Sequence, residues 1–234
     1  MEIDVSPISL KPLLFEPKSD CRSRLLRWGT LTLIRLGTNA LCRLDISELE
    51  RVPAHGPLII YTNHTGSLEV PLLLARLQPR LVTGFAKAET WDNPFLGWLF
   101  TLWGAIPIRR GEADTQAMRL ALEALKKGWI VAVAPEGTRN RTGRLLRGQP
   151  GIVMLALRSG APLLPIAHWG GEAFKSNLKR LKRTDFHIRV GEMFYLESPQ
   201  KWPAREERQA LTDEMMRRLA RLLPEEYRGA YRDF

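Results

Sequence analysis

Pro57-Leu-Ile-Ile-Tyr-Thr-Asn-His-Thr-Gly-Ser-Leu-Glu69 decides how this chain is read. Residues 57–62 are a short apolar, β-branched run that reads as a buried strand, and the Leu-rich segment after it reads as a helix over 67–77. His64 therefore stands where a strand ends, with Ser67 at the helix N-cap and Glu69 in the first helical turn. In open α/β sheets ligands bind in the crevice outside the carboxyl ends of the strands, so the stretch is a candidate site. A histidine near a carboxylate suits general-base work, because the acid fixes the ring tautomer and stabilises the imidazolium. Taken alone, the same pair also suits a capping histidine beside a surface glutamate.

Outward from this stretch, the pattern alternates. Apolar strand-like runs at 81–86, 105–108, 130–134, 162–167 and 186–191 are separated by helix-like stretches at 93–103, 114–127 and 150–159. That alternation is the signature of crossover units, so the expected fold class is α/β, with a mixed, largely parallel sheet flanked by helices. Charged helix formers from Arg205 to Leu223 carry Leu211, Met215, Leu219 and Leu222 on one side and read as a surface helix closing the fold. There is no internal repeat and no low-complexity tract.

The chain has 234 residues, enough to bury a sizeable core as one domain with an N-terminal arm. Its 35 Lys+Arg against 25 Asp+Glu give a net charge of +10, which suits an anionic partner: nucleic acid, a membrane surface or a phosphorylated substrate. The nucleic-acid option needs basic and aromatic residues interleaved on one face or a recognised binding motif, and neither is present, so no nucleic-acid partner is expected. Cys21 and Cys42 have no metal-type spacing, which argues for a reducing compartment and against a disulfide framework or a zinc site. Met1 to Asp20 carries acids and Pro7, Pro12 and Pro17 in place of a basic start and an apolar core, so no secretory signal peptide is expected. No apolar stretch approaches the roughly 20 residues of a spanning helix. The expected location is the cytoplasmic face of a membrane, peripheral or monotopic.

Residues 1–19 read as an extended lead-in. Residues 21–44 read as an amphipathic helix, with Leu25, Leu26, Trp28, Leu33, Leu36 and Leu41 among Arg22, Arg24, Arg27, Arg35 and Arg43 and no acid. This is the pattern of a helix lying in the headgroup plane of a membrane; a helix packed on the domain with its arginines in water is the alternative. The expected division is 1–44 as lead-in and membrane-associating arm and 45–234 as the main domain.

Three further stretches fall at predicted strand ends. Gly104-Ala-Ile-Pro-Ile-Arg-Arg110 ends a short strand on Arg109 and Arg110, forks suited to phosphate or carboxylate, or else solvated charges. Ala134-Pro-Glu-Gly-Thr-Arg-Asn-Arg141 gathers Glu136, Gly137, Thr138, Arg139 and Arg141; glycine lets the backbone approach an anion, and Thr and Arg supply donors. Ala161-Pro-Leu-Leu-Pro-Ile-Ala167 is an apolar strand held between prolines, either core or the wall of an apolar pocket.

The order Asn63-His64-x4-Glu69, Gly104-x-Ile-Pro-Ile-x-Arg110, Pro135-Glu-Gly-Thr-Arg139 and Ala161-Pro-Leu-Leu-Pro165 resembles the four-block pattern of the glycerolipid acyltransferases, the family that includes 1-acyl-glycerol-3-phosphate acyltransferase. The likeness extends over roughly residues 50–200. It implies that His64 is the general base toward the acceptor hydroxyl and that Glu69 holds and polarises it. Arg109, Arg110, Glu136, Gly137, Thr138 and Arg139 would bind the phosphate and glycerol of a lyso-phospholipid acceptor. Lys87, in Lys87-Ala-Glu89, would support, and Pro165 and its neighbours would shape the acyl side. The donor would be an acyl thioester, acyl-CoA or acyl-carrier protein, with no metal and no bound cofactor. The family's usual first-block acid is aspartate; Glu69 is one methylene longer, a departure that bears on the acceptor. Trp91 to Trp103 would wall an acyl tunnel, contact lipid or form a buried helix. The basic cluster Lys175, Lys179, Arg180, Lys182 and Arg183 would meet headgroups or donor phosphates, or stay solvated.

Overall fold

The structure is a computed structural model that describes residues 20–66, 68–109, 114–200 and 202–233. The lead-in 1–19, Ser67 and Arg110 lie outside the described residues.

In chain order the elements are α1 (Cys21–Leu41), β1 (Cys42–Asp45), β2 (Leu58–Thr62), α2 (Glu69–Arg76), β3 (Val82–Lys87), α3 (Pro94–Leu102) and β4 (Ile106–Ile108). They continue with α4 (Thr115–Lys126), β5 (Ile130–Val133), α5 (Gly151–Ser159), β6 (Leu163–Trp169), α6 (Phe174–Lys179), β7 (Thr184–Val190) and α7 (Arg205–Arg221). The strands form one sheet in the order β1-β7-β6-β2-β5-β3-β4. From β6 to β4 every pairing is parallel, whereas β7 runs antiparallel to β6 and carries β1 in parallel beyond it. The α/β class and the largely parallel sheet read from the sequence are therefore the observed ones.

Strand alternation sends successive side chains to opposite faces, and two cores result. Ile59, Tyr61, Val131 and Leu163 pack under α4, α5 and α7, while Leu58, Ile60, Ile130 and Leu164 pack under α1, α2 and α3. Residues 58–62 are buried throughout, as a central strand covered on both faces requires. Tyr61 reaches α7 with its hydroxyl, donating to the Met215 carbonyl at 3.1 Å.

The sequence reading missed β1. Four residues in an Arg-rich run become a strand because β7 offers an unpaired edge: Cys42 is buried, and Asp45 accepts from Arg189 at 2.7 Å and from His187 at 3.2 Å. The arginine and then the histidine hold the Asp45 carboxyl below its usual range. The expected boundary at 44/45 thus falls inside β1, and the helix before it packs on α2 and α3. Helix α1 buries Arg27 and Leu31 yet leaves Leu25, Trp28, Leu33 and Leu36 exposed. Phe95 and Trp98 of α3 are exposed as well. Among the described residues, no helix is long and apolar enough to cross a membrane.

Candidate active site

Because β6, β2, β5, β3 and β4 are parallel, their carboxyl ends share one edge of the sheet. His64 follows β2, Lys87 ends β3, Arg109 follows β4 and Glu136 follows β5. The first, second and third predicted blocks thus meet at this edge, whereas the fourth, Ala161–Pro165, leads into the first residues of β6 and lies away from it.

His64 is held from three directions. Its ring Nδ1 lies 2.6 Å from Glu69 Oε1, its backbone N–H donates to Glu136 Oε1 at 2.8 Å, and its carbonyl accepts from the Asn140 N–H at 2.8 Å. A carboxylate only accepts, so Nδ1 carries the proton and Nε2 keeps a lone pair, the arrangement of a base. The His64 side chain retains 14% exposure and lines the cavity described below.

Glu69 opens α2, where the helix N-terminus favours a negative charge, and its side chain is almost wholly buried. Burial pushes its pKa up, but the hydrogen bond from His64 and the electrostatic influence of the two neighbouring imidazole rings outweigh it and hold the carboxyl at about 2. The same Oε1 also accepts from the Gly66 N–H at 3.1 Å, three residues back. The extra methylene of glutamate is what lets one oxygen serve both donors from the first turn of the helix.

Glu136 does not face outward. It is 4% exposed, and its two oxygens accept one backbone N–H each, from His64 and from Leu146, both at 2.8 Å. Burial raises its pKa to about 6, with the Leu146 and His64 amides pulling the other way. It joins the segment carrying His64 to the loop after β5. Gly137 turns that loop with φ of 68°, a conformation that favours glycine, and leaves itself, Thr138 and Arg139 exposed on the strand-end edge.

The remaining predicted residues are placed as follows. Arg109 is exposed, its backbone N–H capped by Asp114 Oδ2 at 3.1 Å. Lys87 pairs with Glu89 at 2.9 Å at the end of β3, both about half exposed. Pro165 is buried inside β6, opposite Tyr61, and is not part of the cavity lining.

That lining comes from elsewhere. A cavity of about 610 Å³ opens at His64 and Glu69. Val70, Leu73 and Leu74 of α2 with Phe100 and Trp103 bound it on one face of the sheet, and Phe85, Met118, Ile152 and Leu155 on the other. Small residues, Gly84, Ala86 and Ala132, line it at the sheet; Gly84 is also required by the close approach of β3 to β5, since a Cβ there would come within 2.7 Å of the Ala132 carbonyl oxygen. The apolar stretch from Trp91 to Trp103 is thus divided, with Phe100 and Trp103 facing the cavity and Phe95 and Trp98 exposed. A base at the mouth of a mostly apolar cavity, beside exposed cationic and hydroxyl side chains, can deprotonate a hydroxyl whose neighbouring chain is aliphatic and whose head is anionic.

Comparison with known proteins agrees with this geometry. The family model described as Acyltransferase matches residues 43–169, more than half of the chain. The 1-acyl-sn-glycerol-3-phosphate acyltransferase of Pseudomonas aeruginosa is 34% identical over 133 residues, 56% of this chain and 51% of that one. The lyso-ornithine lipid O-acyltransferase of the same organism is 33% identical over 148 residues, covering 62% of this chain and 54% of that one. The chain thus spans about half the length of these two relatives. The crystal structure of the 1-acyl-sn-glycerophosphate (LPA) acyltransferase PlsC from Thermotoga maritima superposes with a TM-score of 0.61 over 87% of this chain and 83% of that one, at 23% identity, a likeness of fold. With His64, Glu69 and the turn at Glu136 all inside the matched segment, the chain belongs to the acyltransferase family.

Proposed function

We propose that the protein transfers a fatty acyl group from an acyl thioester to the free hydroxyl of 1-acyl-glycerol-3-phosphate, giving phosphatidic acid. The observation that carries this reading is the His64–Glu69 contact of 2.6 Å at the mouth of an apolar cavity. His64 Nε2 takes the hydroxyl proton as the oxygen attacks the thioester carbonyl. The tetrahedral intermediate collapses to the new ester, the C–S bond breaks, and the proton returns from His64 to the leaving thiolate. Glu69 steadies the imidazolium in between. A thioester has a good leaving group, so a positioned base and charge stabilisation are enough, with no bound cofactor and no covalent enzyme intermediate. Arg109, Arg110, Thr138 and Arg139 are the groups assigned to the acceptor's phosphate and glycerol.

A second reading keeps the chemistry and changes the acceptor to an amino-lipid. It is favoured by the likeness to a lyso-ornithine lipid O-acyltransferase and by glutamate at position 69. One assay separates the two. Purified protein with acyl-CoA, or with acyl-carrier protein, should release free thiol on addition of lysophosphatidic acid and less with lyso-ornithine lipid. The reverse order would establish the second reading, and no release with either acceptor would overturn both.

We further propose that the exposed apolar side chains of α1 and α3 rest on the cytoplasmic face of a membrane, with Arg22, Arg24, Arg35 and Arg43 at its anionic headgroups. Replacing Trp28 and Leu33 together by serine should weaken cosedimentation with anionic vesicles by about 10-fold. Unchanged binding would return α1 to a purely structural helix.

A further inference from the structure

The strand-end edge holds a second histidine that the four-block pattern does not include. His168 lies near the end of β6, 1% exposed, beside the residue that precedes His64. Asn63 and His168 grip each other's main chains. The Asn63 side-chain amide donates to the His168 carbonyl at 2.8 Å, and its oxygen accepts the His168 backbone N–H at 3.0 Å. In return the His168 ring Nε2 lies 2.7 Å from the Asn63 carbonyl. The amide group of Asn63 thus takes the place of one more peptide in the ladder between β2 and β6, just beyond Thr62↔Ile166.

The ring's protonation follows from its partner. A carbonyl only accepts, so Nε2 must carry the proton and Nδ1 must be the lone pair. Nδ1 is buried and has no hydrogen-bond partner among the described residues, which is tolerable for an acceptor and costly for an N–H donor. The ring stacks on Phe186 with centroids 5.5 Å apart, which fixes its plane. The titratable groups acting on it are Glu69 from α2, His64 from the loop after β2 and Glu172 from the turn after β6; burial, the largest influence, disfavours the imidazolium. Glu69 Oε2 is a buried acceptor that also has no partner among the described residues.

We propose that His168 is a positioning residue for the His64–Glu69 pair: as a neutral Nε2–H imidazole it locks Asn63, and through Asn63 the backbone of His64, against the end of β6. The clamp completes the hold on His64. Glu136 and Asn140 fix its backbone from the side of β5, Glu69 fixes its ring, and His168 fixes the peptide before it from the side of β6. Its neutrality matters as much as its contacts. A positive charge at His168 would compete with His64 for the field of Glu69 and weaken the base.

This inference rests on the proposed role of His64, and its test keeps the two apart. In the full chain labelled with 15N-histidine, His168 should read as a neutral Nε2–H ring from about pH 5 to 8, and the His64 Nδ1 proton should appear far downfield, as a short bond to a carboxylate requires. His168→Leu removes the ring donor; His168→Gln keeps an N–H where Nε2 stood. The leucine variant should lose the downfield signal and about 10–100-fold in kcat, with KM for donor and acceptor little changed, and the glutamine variant should restore most of both. A charged or Nδ1–H His168 in the unsubstituted protein would overturn the proposal whether or not the variants fold. So would a leucine variant that keeps kcat and the downfield proton, or a folded glutamine variant that falls as far as leucine. If the unsubstituted protein releases no thiol with any acceptor, the functional reading fails, and the spectra still decide the clamp.

Discussion

His64→Ala is expected to lower thiol release by about 10³-fold or more, with the fold kept and thermal stability lowered by the loss of the buried Glu69's hydrogen-bond partner. An aliphatic hydroxyl is a weak nucleophile at neutral pH, so removing the base that takes its proton leaves only positioning, and general-base contributions run to about 10²–10⁴-fold. Circular dichroism checks the fold and thiol release checks the rate; turnover close to that of the unsubstituted protein would sink the mechanism. Glu69→Asp belongs in the same assay. Aspartate is the family's usual acid, yet here the longer side chain reaches both His64 Nδ1 and the Gly66 N–H from the first turn of α2. Shortening it should break one of these contacts and lower kcat by about 10-fold or more. The pH dependence is constrained too. Glu69 is held at about 2 against an ordinary 4.5, so its share of stability is present above 4.5 and is lost only as pH falls through about 2. The acid limb of the rate profile between pH 5 and 8 therefore does not report Glu69.

The first three blocks were legible because each combines an apolar run with a chemically loaded strand end, and carboxyl ends of strands in a parallel sheet must converge. What those residues do was less legible. Glu136 reads in sequence as a ligand for substrate, since nothing local shows that two amides, one of them 72 residues away, take both its oxygens. An apolar wall from the Trp91–Trp103 stretch was legible, and Phe100 and Trp103 supply it, but the small residues Gly84, Ala86 and Ala132 that line the cavity at the sheet were not, because absent side chains leave no pattern. The edge strand β1 depends on pairing with β7 across most of the domain, which period-2 alternation does not encode. His168 had one signal available: a lone polar ring just beyond an apolar strand, opposite the asparagine already quoted beside His64. Such a residue is usually a satisfied core histidine, and only the reciprocal bonds to Asn63 give it direction.

Glu136→Ala is expected to reduce both activity and stability, in a combination that distinguishes a clamp from a substrate ligand. The substitution orphans two backbone donors, on His64 and on Leu146, inside a region where the glutamate is 4% exposed. Near pH 7 the net cost should be about 2 kcal/mol, read as a fall of roughly 4–8 °C in Tm. The pH sign is informative. Because burial raises Glu136 from 4.5 to about 6, the pH-dependent part of its contribution to stability is fully present below 4.5 and is lost as pH rises through about 6. The difference between the two proteins should therefore widen in acid, by up to about 2 kcal/mol. Kinetically, loss of the anchor lets the His64 backbone drift, and misplacement of a base by about 1 Å can lower kcat by about 10²-fold. KM for the acceptor should stay near that of the unsubstituted protein. A glutamate that touched the acceptor would give the opposite pattern, a raised acceptor KM with Tm intact. That outcome would move Glu136 from the scaffold of the site into its substrate contacts.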